Sequence, residues 1–273
     1  MKFLLAKGSL YKVYNNNLLY HGCVPLNKDG TFKEVEIYGK QYKGKALYDI
    51  LDNYVRKGFV AVDKAEREKG RDMMWYIWLN ENSPLFGKDK MATFERYFLA
   101  EKETHKEVKI RITICWKMKV LDRILREFGL EPEGAHIING HVPVKSKDGE
   151  SPLKCGGKLL VIDGGFSRAY QKETGIAGYT LIYNSYGLIL AAHDPFESTE
   201  AAIEKESDIH SESRMVKWVP ERKCVGDTDI GRELKEKIKD LEKLLNAYYS
   251  GAIAEKFTRG RSFARQRMQM EIT

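Results

Sequence analysis

"HIINGHVPV", residues 136–144, is the stretch on which the fold turns. It opens as a buried strand, stops on Asn139-Gly140 and then presents a histidine, His141. "LLYHGCVPL", residues 18–26, has the same construction: apolar residues, His21, a glycine, then Val24-Pro25. A histidine just past a strand's end sits where loops gather outside a sheet's edge, and α/β proteins place chemistry there. Imidazole is also the commonest transition-metal ligand near neutral pH. Gly22 and Gly140 let the backbone turn sharply and let another segment or an ion approach, while Pro25 and Pro143 stiffen the exits. One such residue reads as an ordinary loop histidine; two copies shift the balance towards a pair of ligands.

Working outward, "GSLYKVYNNNLLYHGCVPL" reads as strand, Asn-rich turn, strand. Ala46, Leu47, Ile50, Leu51, Tyr54 and Val55 have helical spacing, with Gly58 expected to end that helix. Further helices are expected over 64–80 and 90–99, separated by a loop at Ser83-Pro84, and over 120–130, closed by Gly129. "KLLVIDGG" (158–165) reads as a buried strand and "GYTLIYNSYGLILAAHDP" as a hairpin turning at Asn184-Ser185-Tyr186-Gly187. A last helix follows Asp227-Thr228, which are placed to cap it, and carries Ile230, Leu234, Ile238, Leu241 and Leu245 on one stripe up to Gly251. The pattern is mixed α/β. No internal repeat or low-complexity segment interrupts it.

With 273 residues, 42% of them hydrophobic and 31% charged, the chain can bury a full core and reads as globular. No run approaches the ~20 apolar residues of a spanning helix, and the apolar stretch in "MKFLLAKGSLYK" is too short for a secretory signal, so a cytoplasmic location is expected. Cys23, Cys115, Cys155 and Cys224 have no Cys-x-x-Cys spacing and are expected to be reduced packing residues. The net charge of +7 is mostly interleaved with acids. Only "RGRSFARQR" (259–267) clusters it, which makes a disordered basic tail the expectation and nucleic-acid binding a weak one.

At this point longer strings matter. "MWYIWLNENSPLFGKDKMATFERYF", "IINGHVPVK", "VIDGGFSRAYQKETGIAGYTLIYNSYG" and "DTDIG" resemble class III fructose-1,6-bisphosphatase over almost the whole chain, and the two histidine motifs resemble the last two metal-ligand motifs of the calcineurin-like metallophosphoesterases. The resemblance implies an α/β sandwich of mixed sheets flanked by helices. It also implies a two-metal phosphomonoesterase of gluconeogenesis, manganese-dependent, that removes the 1-phosphate of fructose 1,6-bisphosphate, and a homo-oligomer in the complete enzyme. Two divalent ions would activate water for in-line attack and neutralise the phosphoryl oxygens. His21 and His141 fall on the family's late histidine motifs, as ligands to the same ion.

Three earlier motifs of that family are missing: Asp-x-His, Gly-Asp-x-x-Asp-Arg-Gly, and Gly-Asn-His followed by an acid. "GDTDIGR" (226–232) is a near-miss whose acids suit a helix N-terminus. The chain therefore resembles only the C-terminal part of the enzyme, with the N-terminal portion of the fold absent: residues 1–255 form the partial domain, with a helical aromatic-rich insert at about 63–130, and 256–273 form the basic tail. Two imidazoles fall short of the three or four protein ligands an ion needs, so the fragment alone is expected to be inactive and no catalytic base is assigned. A companion chain could supply the N-terminal half; the alternatives are a non-catalytic assembly or regulatory chain, or a remnant of a disrupted gene. "KIRITICWKMKV" (109–120) departs from the family's Lys-Asn-Pro-Tyr-Tyr, and plausible codons read in another frame restore Pro-Tyr-Tyr, which suggests that residues 109–119 are out of frame.

Among the remaining candidates, Arg168 in "GGFSRAYQ" could fork onto a substrate phosphate or be a surface arginine. His193 reads as a satisfied loop residue, and His105, His136 and His210 as structural or surface residues. Asn139 reads as a turn residue, and Trp75, Trp78, Phe94, Tyr97 and Phe98 as core or subunit interface.

Overall fold

Two asparagines begin the fold. Asn15 and Asn16 both take positive φ, 47° and 62°, the backbone of the tight turn that lets two strands pair with their natural twist. They join β1 (Tyr11–Tyr14) to β2 (Asn17–Tyr20) as the expected hairpin. The computed structural model describes residues 2–107, 118–163, 168–195, 198–204, 206 and 210–253. The stretch 109–119, expected to be out of frame, thus lies outside the described residues except for Met118 and Lys119, and the basic tail lies wholly outside them.

After helix α1 (Lys2–Lys7) and the first hairpin come the short strands β3 (Val35–Ile37) and β4 (Lys40–Tyr42), then helices α2 (Gly44–Val60), α3 (Lys64–Leu79), α4 (Thr93–Phe98) and α5 (Met118–Glu127). Strands β5 (His136–Asn139), β6 (Leu153–Lys154) and β7 (Leu159–Val161) follow, then α6 (Arg168–Thr174), β8 (Gly178–Asn184), β9 (Gly187–His193), α7 (Thr199–Glu204), β10 (Ser211–Trp218) and α8 (Asp229–Tyr249). A five-stranded sheet has the order β1-β2-β5-β7-β6. Its central pairs β2–β5 and β5–β7 are parallel and its outer pairs antiparallel. A second, antiparallel sheet has the order β10-β9-β8, and β3 pairs with β4. The architecture is α/β with mixed sheets flanked by helices.

The core follows from the register. Leu18, Ile137 and Leu159 are partners across the three central strands, and all are essentially inaccessible to water. Leu121, Ile124 and Leu125 of α5 and Tyr48 of α2 join the same cluster. Each such side chain contributes about 1.5–3 kcal/mol by leaving water. A second cluster joins Leu47 and Leu51 of α2 to Met73 and Ile77 of α3, with Val35 and Ile37 of β3.

Three expectations need correction. Gly58 does not end α2, which runs on to Val60. It sits instead where α2 crosses α3: a Cβ on it would meet the Cα of Gly70 and come within 3.0 Å of the Gly70 nitrogen. Here the absence of a side chain serves close helix approach, not a helix stop. The helix expected over 90–99 is shorter, Thr93–Phe98, and the Glu107 carboxylate accepts the Ala92 N–H just before it at 2.9 Å. Trp75, Trp78, Phe94, Tyr97 and Phe98 are not core: Trp75 is 60% and Tyr97 80% exposed.

The chain falls into two compact units, Met1–Arg222 and Lys223–Thr273. In the second, both residues expected to cap the last helix are used, for different elements. Asp227 accepts from the Cys224 N–H at 2.8 Å and closes the turn before it, and Thr228 Oγ1 accepts from the Gly231 N–H at 3.0 Å and caps α8. Among the described residues no helix is long and apolar enough to cross a membrane.

The glycine contact can be tested directly. On helix propensity alone Gly58→Ala would stabilise by about 1 kcal/mol. With Gly70 in the way it should instead destabilise by about 1–3 kcal/mol in urea unfolding, whereas alanine at the exposed Lys57 should change stability little.

Candidate functional site

Parallel pairing makes two distant histidines neighbours. β2 and β5 run side by side with Leu19 opposite Ile138, so both strands end at the same edge of the sheet, and the chain delivers His21 from one and Gly140-His141 from the other. The ladder continues one step beyond the strands: the Gly140 N–H donates to the His21 carbonyl at 3.0 Å. Asn139 adds a side-chain tie, its Nδ2 donating to the Gly22 carbonyl at 3.1 Å. Adjacent strands lie about 4.7–4.9 Å apart, and the two imidazole centroids are 4.8 Å apart at 72°.

Between the rings, His141 Nδ1 and His21 Nε2 are 2.9 Å apart. The other nitrogen of His141, Nε2, lies 2.6 Å from the Phe86 carbonyl oxygen. A carbonyl can only accept, so Nε2 carries the proton and donates it there. That fixes the tautomer and aims the Nδ1 lone pair at His21, the arrangement by which metal-ligating histidines are generally oriented. In the neutral pair His21 Nε2–H donates to Nδ1. Partial burial and the neighbouring His141 imidazole hold His21 below the ordinary histidine pKa, with Asp163 pulling the other way; it is an imidazole, not an imidazolium, at neutral pH.

A third segment locks the pair. The loop after α3 is pinned by Ser83, fully buried, whose Oγ donates to the Ile77 carbonyl at 2.5 Å and accepts from the Leu85 N–H at 3.1 Å. From that loop Pro84 accepts the Cys23 N–H at 2.9 Å and Phe86 receives His141. Any Cβ on Gly22 would strike the Pro84 carbonyl, which explains the glycine beside His21. His141 has φ of 70°, and the Val142 N–H reaches across it to the Gly140 carbonyl at 2.9 Å. This is a three-residue turn of a rare and strained kind, of the order of 1–3 kcal/mol, that persists only where surroundings over-determine it.

His21 opens onto a trough of about 700 Å³ whose walls include Lys12, Leu19, Leu85, Ile138 and Ile162. Among the described residues no group of three or more His, Cys, Asp or Glu is placed to hold a metal ion. Arg168 opens α6, and its side chain lies outside the described residues. His193 is satisfied by Thr180 and Ser211, each at 2.7 Å. His210 pairs with Asp194 at the surface.

The sequence reading brought the two histidines forward but missed what positions them. Asn139 is a cross-loop tie, not only a turn residue. Its Oδ1 is buried without a hydrogen-bond partner. Phe86 contributes through a backbone carbonyl, which no side-chain pattern can signal. Asp163, at the end of "LLVID", could have been noticed as a third acidic or imidazole residue following a buried strand.

A family model described as Firmicute fructose-1,6-bisphosphatase matches residues 1–250. A class 3 fructose-1,6-bisphosphatase of Clostridium beijerinckii is 54% identical over 256 residues, covering 93% of this chain and 39% of that protein. The Clostridioides difficile protein is 56% identical over 260 residues with the same coverage, and that of Clostridium botulinum 55% identical, with 38% of its length covered. The chain thus spans about two fifths of the length of the curated relatives it matches. No solved structure matches it.

The lowered pKa of His21 has a measurable sign. Its contribution to stability should be fully present above the unfolded value of about 6.5 and be lost as pH falls through the lower folded value. In an NMR titration the His21 ring should have a midpoint below about 6.5, and His141→Ala should raise it. A midpoint unchanged by that substitution would mean the two rings do not sense each other.

Proposed function

The chain belongs to the Firmicute fructose-1,6-bisphosphatase family, and from that premise we propose that it is the C-terminal portion of a class III fructose-1,6-bisphosphatase with a calcineurin-like fold. In this reading His21 and His141 supply two of the protein ligands to one ion of a divalent, manganese-type pair, and the substrate is fructose 1,6-bisphosphate. The observation that carries it is the facing of two imidazole nitrogens, 2.9 Å apart, at adjacent strand ends. The two nitrogens are close enough that one divalent ion would take both once the rings turn from each other towards it, and imidazole suits such an ion.

A divalent ion bound there would supply Lewis-acid polarisation of a phosphoryl oxygen and neutralise its charge. The residues of this chain prepare the site. The Phe86 carbonyl holds the His141 proton on Nε2, so Nδ1 keeps its lone pair, which accepts from His21 until an ion takes that place. His21 needs only to move its proton from Nε2 to Nδ1 to present a second lone pair, with no net ionisation, and its lowered pKa keeps it neutral for that purpose. The trough beside His21 gives other ligands a route of approach. Those ligands, in this proposal, come from polypeptide outside the 273 residues, a companion chain carrying the family's remaining length. In this proposal the partial domain lies within residues 1–255, with about 63–130 as its aromatic-rich insert, and Arg168 would contact a substrate phosphate.

One observation favours a second reading. Trp75 and Trp78 pack edge to face with centroids 5.2 Å apart, Phe94 and Phe98 stack at 6.4 Å, and all four are exposed. Such a surface suits a non-catalytic assembly chain.

Manganese separates the two readings. In the first, manganese should broaden the NMR signals of the His21 and His141 rings together, and His21→Ala should abolish the broadening of the remaining His141 ring. Manganese-dependent release of phosphate from fructose 1,6-bisphosphate should be negligible for the chain alone. It should appear on mixing with a polypeptide that carries the missing motifs and fall at least about a hundredfold in His141→Ala. No broadening and no activity on mixing would leave the assembly reading standing.

A further inference from the structure

The 21-residue helix α8 is about 31 Å long, and among its described residues only Gly231 is buried. Its apolar residues face water: Leu234 is 46%, Ile238 53%, Leu241 64%, Leu245 51% and Tyr248 42% exposed. A helix gains most of its stability by burying such a stripe, so this one lacks the partner that its sequence is written for.

The spacing of the stripe says what kind of partner. Leu234, Ile238, Leu241, Leu245 and Tyr248 follow one another at intervals of four, three, four and three residues, the heptad seam of a coiled coil with Leu234, Leu241 and Tyr248 at d and Ile238 and Leu245 at a. In parallel coiled coils a β-branched residue at a with leucine at d favours two strands, the pattern of Ile238 with Leu234 and Leu241, while Leu245 takes the other a position. The flanking charges agree. In a parallel, in-register pair, a g residue faces the e residue five positions later on the other helix, so Lys237 would face Glu242 twice by symmetry. Neither has an ion pair or side-chain hydrogen bond among the described residues, while the neighbouring Lys235 is already held on the Gly226 carbonyl at 3.0 Å and Lys243 on Asp240.

We propose that α8 is a dimerisation helix, its stripe pairing with the same stripe of a second copy of this chain in a parallel two-stranded coiled coil, Lys237 of each copy facing Glu242 of the other. The inference does not depend on the catalytic reading, because α8 carries none of the residues assigned to the metal. The seam spans little more than two heptads, so the association is weak, of micromolar order. Dimers form and separate with concentration.

Sedimentation equilibrium of the full chain at several concentrations tests this. The wild type should reach a dimer by tens of micromolar, and Leu241→Lys should remain monomeric. Because Leu241 is exposed, its replacement leaves the monomer folded, which circular dichroism checks. Lys237→Glu and Glu242→Lys should each raise the dissociation constant about fivefold to tenfold, and the two together should restore it to within about twofold. A wild type that stays monomeric, a dimer that survives Leu241→Lys, or rescue of Glu242→Lys by Lys235→Glu in place of Lys237→Glu, as an antiparallel pair requires, would each overturn the proposal.

Discussion

The parallel pairing of β2 with β5 is the constraint on which the rest of the structure depends. Strands aligned in parallel end at the same edge of a sheet, and the register Leu18 to Ile137 makes these two end within a residue of each other. Without it, His21 and His141 are 120 positions apart with no reason to meet. With it, the separation of the imidazoles is set by the spacing of hydrogen-bonded strands, a fixed quantity of β-structure. The same pairing places Leu18, Ile137 and Leu159 in one apolar row, so the interaction that forms the core also assembles the histidine pair. A substitution that weakens the row therefore loosens the site as well.

Backbone, more than side chains, holds the pair in place. The Gly140 N–H, the Gly22 carbonyl, the Pro84 carbonyl and the Phe86 carbonyl all bear on the two histidine loops. They come from three stretches of chain, and each bond limits what the others can do. The strained turn at His141 is tolerable for this reason. Its own N–H and carbonyl lie between a neighbour tied to β2 and Val144, whose N–H donates to the Asp163 carbonyl at 2.8 Å. The outcome is a ring whose tautomer and direction are set before any ligand arrives, which lowers the entropy that binding must overcome.

Among the described residues no third His, Cys, Asp or Glu joins the pair in a group placed to hold a metal ion. One edge of the sheet holds two facing imidazoles, beside an open trough whose walls include Lys12 as well as Leu19, Leu85, Ile138 and Ile162. In the separate C-terminal unit a helix carries an apolar seam in water. Under the two proposals made above, each feature awaits a partner: one that would complete an ion site, and one that would cover the stripe of α8.

The sequence by itself determined the strand ends that carry His21 and His141 and the helices α2, α3, α5 and α8, but not α1, α6, α7 or β10. Apolar run length, Asn-Gly and Asn-Asn turns, the Thr228 cap and the periodic stripe of α8 are local signals, each carried by a few neighbouring residues whose φ/ψ preferences and hydrophobicity act over short distances. Repetition of one strand-His motif was enough to single out His21 and His141. Tertiary structure alone decided that the two rings face each other, that Phe86 fixes a tautomer through a main-chain oxygen, that Asn139 spans two loops, and that Gly58 serves a helix crossing instead of a helix end. These depend on which segments pack together across the chain, and a backbone carbonyl or a missing Cβ looks the same in every sequence until packing gives it a neighbour.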